Sequence, residues 1–186
     1  MLRSGRNARK LHTYNSITGV PFAASGFTHP KGMILDKIRT WLSAEGVSFR
    51  EVHHEPTRTS EDSARARGEA LRVGGKALLI KVDDVYRLFV LSADRKLDSA
   101  AIKRHFGARK TRFATPEELA KLTGLVPGSV PPFGQPVLPF ALYVDPSVFE
   151  NDRIAFNSGS LTDSIVMQTS DYRRLAAPEV FEFAAV

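Results

Sequence analysis

With 186 residues, 42% of them hydrophobic, the chain can bury one sizeable core and suits a single globular domain. It contains no cysteine, which excludes disulfides, thiolate metal sites and a cysteine nucleophile. The formal charge of +6 is unevenly placed: residues 1–32 hold Arg3, Arg6, Arg9, Lys10 and Lys31 and no acid, leaving the remainder almost neutral.

Residues 1–32 are polar, rich in Gly, Ser, Thr and Asn, and without helical period, so a disordered basic extension is expected. Three roles compete for it. It suits a transit peptide, being basic and acid-free. It suits a nucleic-acid-binding arm. It also suits an untranslated stretch before Met33, where the first well-patterned helix opens. No apolar h-region of about 7–15 residues follows the basic residues, which argues against a secretory signal. No run approaches the ~20 apolar residues that span a bilayer, and a cytoplasmic protein is expected. Of the histidines, only His53 and His54 are close in sequence. Adjacent strand residues point to opposite faces, so no metal site is expected, and no cofactor.

From Met33 onward the pattern is regular. Ile34, Ile38, Trp41 and Leu42 predict a helix over 34–45 that Gly46 ends. Val47 to Val52 predicts a short strand. Thr59-Ser60-Glu61-Asp62 predicts a helix start, a hydroxyl cap followed by acids, with Gly68 closing it. Strands are predicted over 76–82 and 85–91, joined by Asp83-Asp84 in a tight hairpin without the usual glycine. Leu97 to Phe106 predicts an amphipathic helix, and Thr115-Pro116-Glu117-Glu118 a capped one. Gly124 to Gly134 packs three prolines and three glycines into eleven positions. It predicts a long, stiff loop of the kind that carries function. Strands at 141–144, 153–156 and 165–167 follow, then a helix capped by Thr169-Ser170-Asp171, and a last strand at 180–183.

Lys76 stands out. It opens the strand Lys76-Ala77-Leu78-Leu79-Ile80-Lys81-Val82, and alternation puts it on the face of Leu78, Ile80 and Val82. A lysine there either snorkels from the strand end or lines a polar pocket. Gly74 and Gly75 before it admit close approach of backbone or ligand. The chain lacks GxGxxG, GxxxxGK[ST] and HExxH, the common nucleotide and metalloprotease signals, and Ser129 lacks the GxSxG elbow.

Four patches together resemble one family: His54-Glu55-Pro56-Thr57-Arg58-Thr59-Ser60-Glu61-Asp62, the Lys76 strand, the Gly124–Gly134 loop, and Asn157-Ser158-Gly159-Ser160 with Thr162-Asp163-Ser164. They look like the YbaK-type aminoacyl-tRNA deacylases, which include prolyl-tRNA editing domains, over about residues 33–184. The resemblance implies an α+β fold, a mixed, barrel-like sheet of about six to seven strands flanked by helices, forming a deacylase domain over 33–186. It implies hydrolysis of the ester joining a wrong amino acid to tRNA, with mischarged tRNA as partner and a synthetase as a further one. A catalytically inactive tRNA- or nucleotide-binding module of the same fold is the alternative. Leu161 stands where some relatives carry histidine, so a histidine base from that loop is not expected.

An aminoacyl ester is already activated, so the site must position it, orient a water or ribose hydroxyl, and stabilise an oxyanion. Lys76 is the candidate anchor for carbonyl or phosphate. Backbone N–H groups around Gly128 and Gly159 are candidate oxyanion donors. Thr59 and Ser60, besides capping, border the expected pocket. Asn157, Ser158 and Ser160 are candidates for the amino group or ribose. Asp163 is a candidate to pair with an α-ammonium or with Lys76, set against a turn cap, and Phe133 to stack on adenine or close the amino-acid pocket, set against a plain core aromatic. His54 is either a proton carrier or a structural strand-end histidine. Arg65, Arg67 and Arg72 are candidates for tRNA phosphates, set against a plain solvated helix face. Lys103, Arg104, Arg109, Lys110 and Arg112 form a second such run.

Overall fold

The computed structural model describes residues 33–185; the readings made for residues 1–32 lie outside the described residues. Helix α1 (Met33–Ala44) is followed by β1 (Phe49–His53), α2 (Ser60–Arg67) and the hairpin β2 (Gly75–Val82) and β3 (Val85–Ser92). Next come β4 (Lys96–Leu97), α3 (Ser99–Phe106), β5 (Thr111–Phe113) and α4 (Pro116–Thr123). The Pro-Gly loop leads to β6 (Leu142–Val144), β7 (Arg153–Asn157), β8 (Asp163–Gln168), α5 (Thr169–Ala176), β9 (Glu179–Val180) and β10 (Ala184–Ala185).

The strands form two main sheets. One is antiparallel, in the order β1-β8-β7. The other runs β5-β2-β3-β6-β9, antiparallel through β3 and parallel from β3 to β9. Strands β4 and β10 pair separately. The larger sheet is buried on both faces, which is why its strands read as continuous apolar runs. Leu79, Leu88 and Val90 face one core with Ile38 and Leu42 of α1 and with Phe156, Ile165 and Met167 of the smaller sheet. Ile80, Val82, Phe89 and Leu91 face the other, under Ile102 of α3 and Phe183. Each fully buried Leu, Ile or Phe contributes roughly 1.5–3 kcal/mol.

The hairpin turn works without glycine because Asp83 takes φ 49, a left-handed conformation that a short polar side chain tolerates. Its carboxylate accepts the backbone N–H groups of Arg109 and Lys110 at 3.0 and 2.9 Å.

Several expectations change. The strands do not close into a barrel: outside named strands the only ladder contact among the described residues is a single bridge, Gly74 to Ala155, between the regions of the two sheets. Among the described residues there are ten strands rather than six or seven, three of them two residues long. β5 falls within the second basic run, whose charges mask its short alternation. The cap of α5 is Gln168, so Thr169 is the first helical residue and not the cap.

Candidate functional site

Four segments converge on Lys76: the start of β2, the start of α2, the Pro-Gly loop and the end of β7. They line a cleft of about 230 Å³ that includes Thr59, Ser60, Arg67, Lys76, Gly128 and Asn157. Helix α2 is placed by its caps. Thr59 Oγ1 accepts from Asp62 N at 3.1 Å, and Gly68 closes the helix at φ 68. Its buried face is Ser63, Ala64 and Arg67. The first two are small and admit close packing. The glycines before Lys76 serve the chain's own packing. A Cβ on Gly75 would lie 2.7 Å from Ile154 Cδ1, and one on Gly74 2.9 Å from Ala93 Cβ.

Lys76 lies on the face of Leu78, Ile80 and Val82. It is half-buried, and its ammonium donates to the Arg95 carbonyl at 2.7 Å. Burial pushes its pKa below the ordinary lysine range, while the charges of Glu61 and Asp94 oppose that shift. An ammonium carries three donors. With one protein acceptor among the described residues, two remain for a ligand in the cleft.

The floor is a buried network centred on Arg67, whose residue exposure is 8%. Its Nε donates to Ser164 Oγ at 2.9 Å, and Nη2 donates to Asn157 Oδ1 at 2.5 Å. Asn157 Nδ2 in turn donates to the Gly128 carbonyl at 2.8 Å. The guanidinium therefore fixes Asn157, and Asn157 fixes the Pro-Gly turn at the cleft edge. Burial lowers the Arg67 pKa to about 10, against the attraction of Glu69. The Ser164 hydroxyl also meets His54 Nε2 at 2.8 Å, while His54 Nδ1 lies 2.8 Å from the Glu55 carbonyl. A carbonyl only accepts, which assigns the proton to Nδ1 and makes His54 a structural member of this network.

The sequence-derived candidates divide. Lys76, Thr59, Ser60, Arg67, Gly128 and Asn157 share the cleft. Ser158, Gly159, Ser160 and Asp163 line a second, more apolar cleft of about 410 Å³ with Leu125, Leu161 and others. The Gly128-Ser129 turn separates the two, Gly128 lining the first and Ser129 the second. Asp163 does not pair with Lys76; its carboxylate meets His53 Nδ1 at 2.8 Å and accepts from Ser160 Oγ and Thr162 Oγ1 at 2.6 and 2.8 Å. Burial works to raise its pKa, but those donors together hold it below the usual carboxylate value. Ser158 is fully buried and donates to the Asp163 carbonyl. The Gly159 N–H donates to the Ser129 carbonyl at 3.0 Å and is not available to an oxyanion. The Gly128 N–H has no acceptor among the described residues.

Two further expectations are corrected. Phe133 has no exposure and sits edge-on to Trp41, Phe156 and Tyr172. It is core, because an aromatic among prolines fills the space under α1 better than it faces water. Arg67 is not a surface phosphate contact but the cleft floor. Arg65 is exposed and paired with Asp62, and Arg72 is exposed outside the cleft. Sequence reading missed the role of Ser164 and the buried Ser63 Oγ to Thr57 Oγ1 bond at 2.8 Å. The spacing of Ser63 and Arg67, one turn apart beside Ala64, is the signal that could have revealed the inward face of α2.

Among the described residues no group of three or more His, Asp or Glu side chains could hold a metal, and no helix is long and apolar enough to cross a membrane. Residues 54–175 match the family model described as the aminoacyl-tRNA editing domain. The chain is 41% identical over 148 residues to the multifunctional Ser/Thr-tRNA deacylase ProXp-y of Escherichia coli strain K12, covering 76% of this chain and 87% of that protein. It is 34% identical over 114 residues to the proline–tRNA ligase of Shouchella clausii, covering 61% of this chain and 20% of the ligase. The fold matches the crystal structure of a candidate trans-editing enzyme for prolyl tRNA synthetase with a TM-score of 0.70 at 24% identity, over 83% of this chain and 98% of that one.

Proposed function

This chain belongs to the aminoacyl-tRNA editing domain family, and from that premise we propose that it is a trans-acting aminoacyl-tRNA deacylase whose chemistry takes place in the Lys76 cleft. The observation that carries this reading is the Lys76 ammonium, half-buried with donors to spare and facing a turn held rigid by Asn157 and Arg67. The 41% identity to a Ser/Thr-tRNA deacylase supports the reaction class. The match to proline–tRNA ligase supports a link to synthetase editing.

In this mechanism the ester carbonyl, or the neighbouring terminal phosphate, lies against Lys76. A water attacks the carbonyl carbon and gives up a proton, and the π electrons move to oxygen as the tetrahedral centre forms; attack by the ribose hydroxyl would only shift the ester to the neighbouring ribose oxygen, from which a water must then release it. The Lys76 ammonium and the Gly128 N–H stabilise that oxygen. Collapse breaks the bond to the ribose oxygen, which takes up a proton and leaves with the tRNA. Preorganised donors of this type are typically worth a factor of about 10²–10³ each in rate. Arg67 and Asn157 act on the Gly128 turn rather than on the ester. A cleft of about 230 Å³ suits a small side chain, and one methylene changes discrimination by about 1–3 kcal/mol.

The test is a panel of mischarged tRNAs incubated with the purified full-length chain and with Lys76→Ala. At least one should be deacylated well above the variant's background. If none is, the deacylase reading fails, and RNA binding without turnover would favour a binding module instead.

A further inference from the structure

Beyond the ester cleft, we propose that the edge formed by β5 and the far end of β2 is the docking track for the RNA, with Phe113 as a base-stacking platform and Lys103, Arg109 and Lys110 as the phosphate contacts. This rests on the deacylase reading for the identity of the RNA.

Of the two basic runs in the sequence, the fold disperses the first and gathers the second. Lys81, Lys103, Arg109, Lys110 and Arg112 line one groove of about 500 Å³ with only Asp83 and Asp84 opposing them. Arg112 is committed to Glu118 through two bonds of 2.6 and 2.7 Å, and Lys81 lies 3.7 Å from Asp84. Lys103, Arg109 and Lys110 have no acidic partner among the described residues. Asp83 pins the backbone of Arg109 and Lys110, so these cations are presented from an ordered segment. Ordered cations without partners favour a polyanion.

Phe113 supplies the second, independent observation. It is 55% exposed, the largest exposure among the large hydrophobics of the described residues. In register it pairs with Ile80, while Arg112 pairs with Lys81 and Thr111 with Val82. Directly opposed residues share a face, so the ring lies on the face that carries Lys76, four residues up the strand. At about 3.3 Å per residue that is roughly 13 Å, with the end of β2 at roughly 20 Å. In stacked steps of about 3.4 Å the ring is about four nucleotides from the ester anchor and the groove about six. A tRNA carries its ester on a short unpaired 3′ tail emerging from a duplex stem, so the ring falls at the tail and the groove at the stem. Between them β5 registers only with Ile80 to Val82 and the Ala114 N–H donates to the Leu79 carbonyl at 2.9 Å, so among the described residues no strand registers with Lys76 to Leu78 on that side of β2.

The experiment measures binding of the full-length chain to two uncharged RNA hairpins, one with an unpaired 3′ tail and one blunt, over a range of salt. Lys103→Glu/Lys110→Glu should weaken both at least tenfold and flatten the salt dependence by about one power per lost contact. Phe113→Ala should weaken the tailed hairpin about five- to a hundredfold and the blunt one far less. Arg174→Glu, a charge change of the same sign on α5, should match wild type. Circular dichroism establishes that each variant is folded, and Lys103→Gln/Lys110→Gln serves if the reversal is not. Unchanged binding by folded groove variants overturns the proposal, as does equal loss on both hairpins with Phe113→Ala. Groove-dependent binding without hydrolysis of any charged tRNA would instead sink the deacylase reading and leave the track standing.

Discussion

The two clefts on either side of the Gly128-Ser129 turn share the Pro-Gly loop and the chain at and after the end of β7 as walls, and differ in what their polar groups have left to give. In the second cleft Asp163 meets three neighbouring donors, and Gly159 and Ser158 donate to backbone carbonyls. That side is satisfied and reads as structure. In the first, Lys76 has one acceptor and the Gly128 N–H none among the described residues, while Arg67 and Asn157 hold the floor beneath them. Unspent donors over a fixed floor are what a developing negative charge requires. The proposed mechanism rests on this contrast, with chemistry in the first cleft and loop architecture in the second.

Substitutions can break that contrast. The largest effect is expected at Arg67. Arg67→Ala removes the buried donor that Asn157 Oδ1 and Ser164 Oγ share, leaving them only the 2.9 Å bond between them and the His54 contact, and should cost about 3 kcal/mol, read from chemical denaturation. Arg67→Lys should recover part of the stability but little of the rate, because a point charge cannot serve both acceptors. Gly159→Ala should cost about 2 kcal/mol. Its φ is 95, and a Cβ would sit 2.6 Å from Ile34 Cβ. A Lys76→Ala-corrected pH–rate profile comes next. In the proposed mechanism the protonated lysine is the active form, and burial lowers its pKa. The rate should therefore fall about tenfold per pH unit on an alkaline limb that begins below the ordinary lysine range. A corrected rate that climbs through that limb would mean a neutral lysine acting as base. The smallest effect belongs to Asp163→Asn: about 1 kcal/mol of stability from weakened charge-assisted bonds, measured by denaturation, with the deacylation rate kept.

Much of this architecture was legible in the chain. The caps at Thr59 and Thr115, the helix-ending glycines 68 and 107, and the β2–β3 hairpin follow from local rules, and the structure has them. Alternation alone put Lys76 on the face of Leu78, Ile80 and Val82. What local rules could not supply was the third dimension of the loops. Asn157 and Ser158 are neighbours in sequence, yet they line opposite clefts because the chain leaves β7 between them. Arg67 looked like one of three surface cations. The small residues Ser63 and Ala64 beside it are the one local hint, and the structure shows all three on the buried face of α2. Strand β5 was hidden because its middle residue pairs with Glu118 at the surface rather than with a core.

The most direct measurement is a side-by-side single-turnover assay of Lys76→Ala and Asp163→Asn on a mischarged tRNA that the wild-type chain deacylates, with melting curves for both. The account predicts that Lys76→Ala melts like wild type and loses about 10²–10³ in rate, while Asp163→Asn melts lower and turns over normally. A normal rate for Lys76→Ala, or a comparable loss in Asp163→Asn at full stability, would contradict the assignment of the chemistry to the Lys76 cleft.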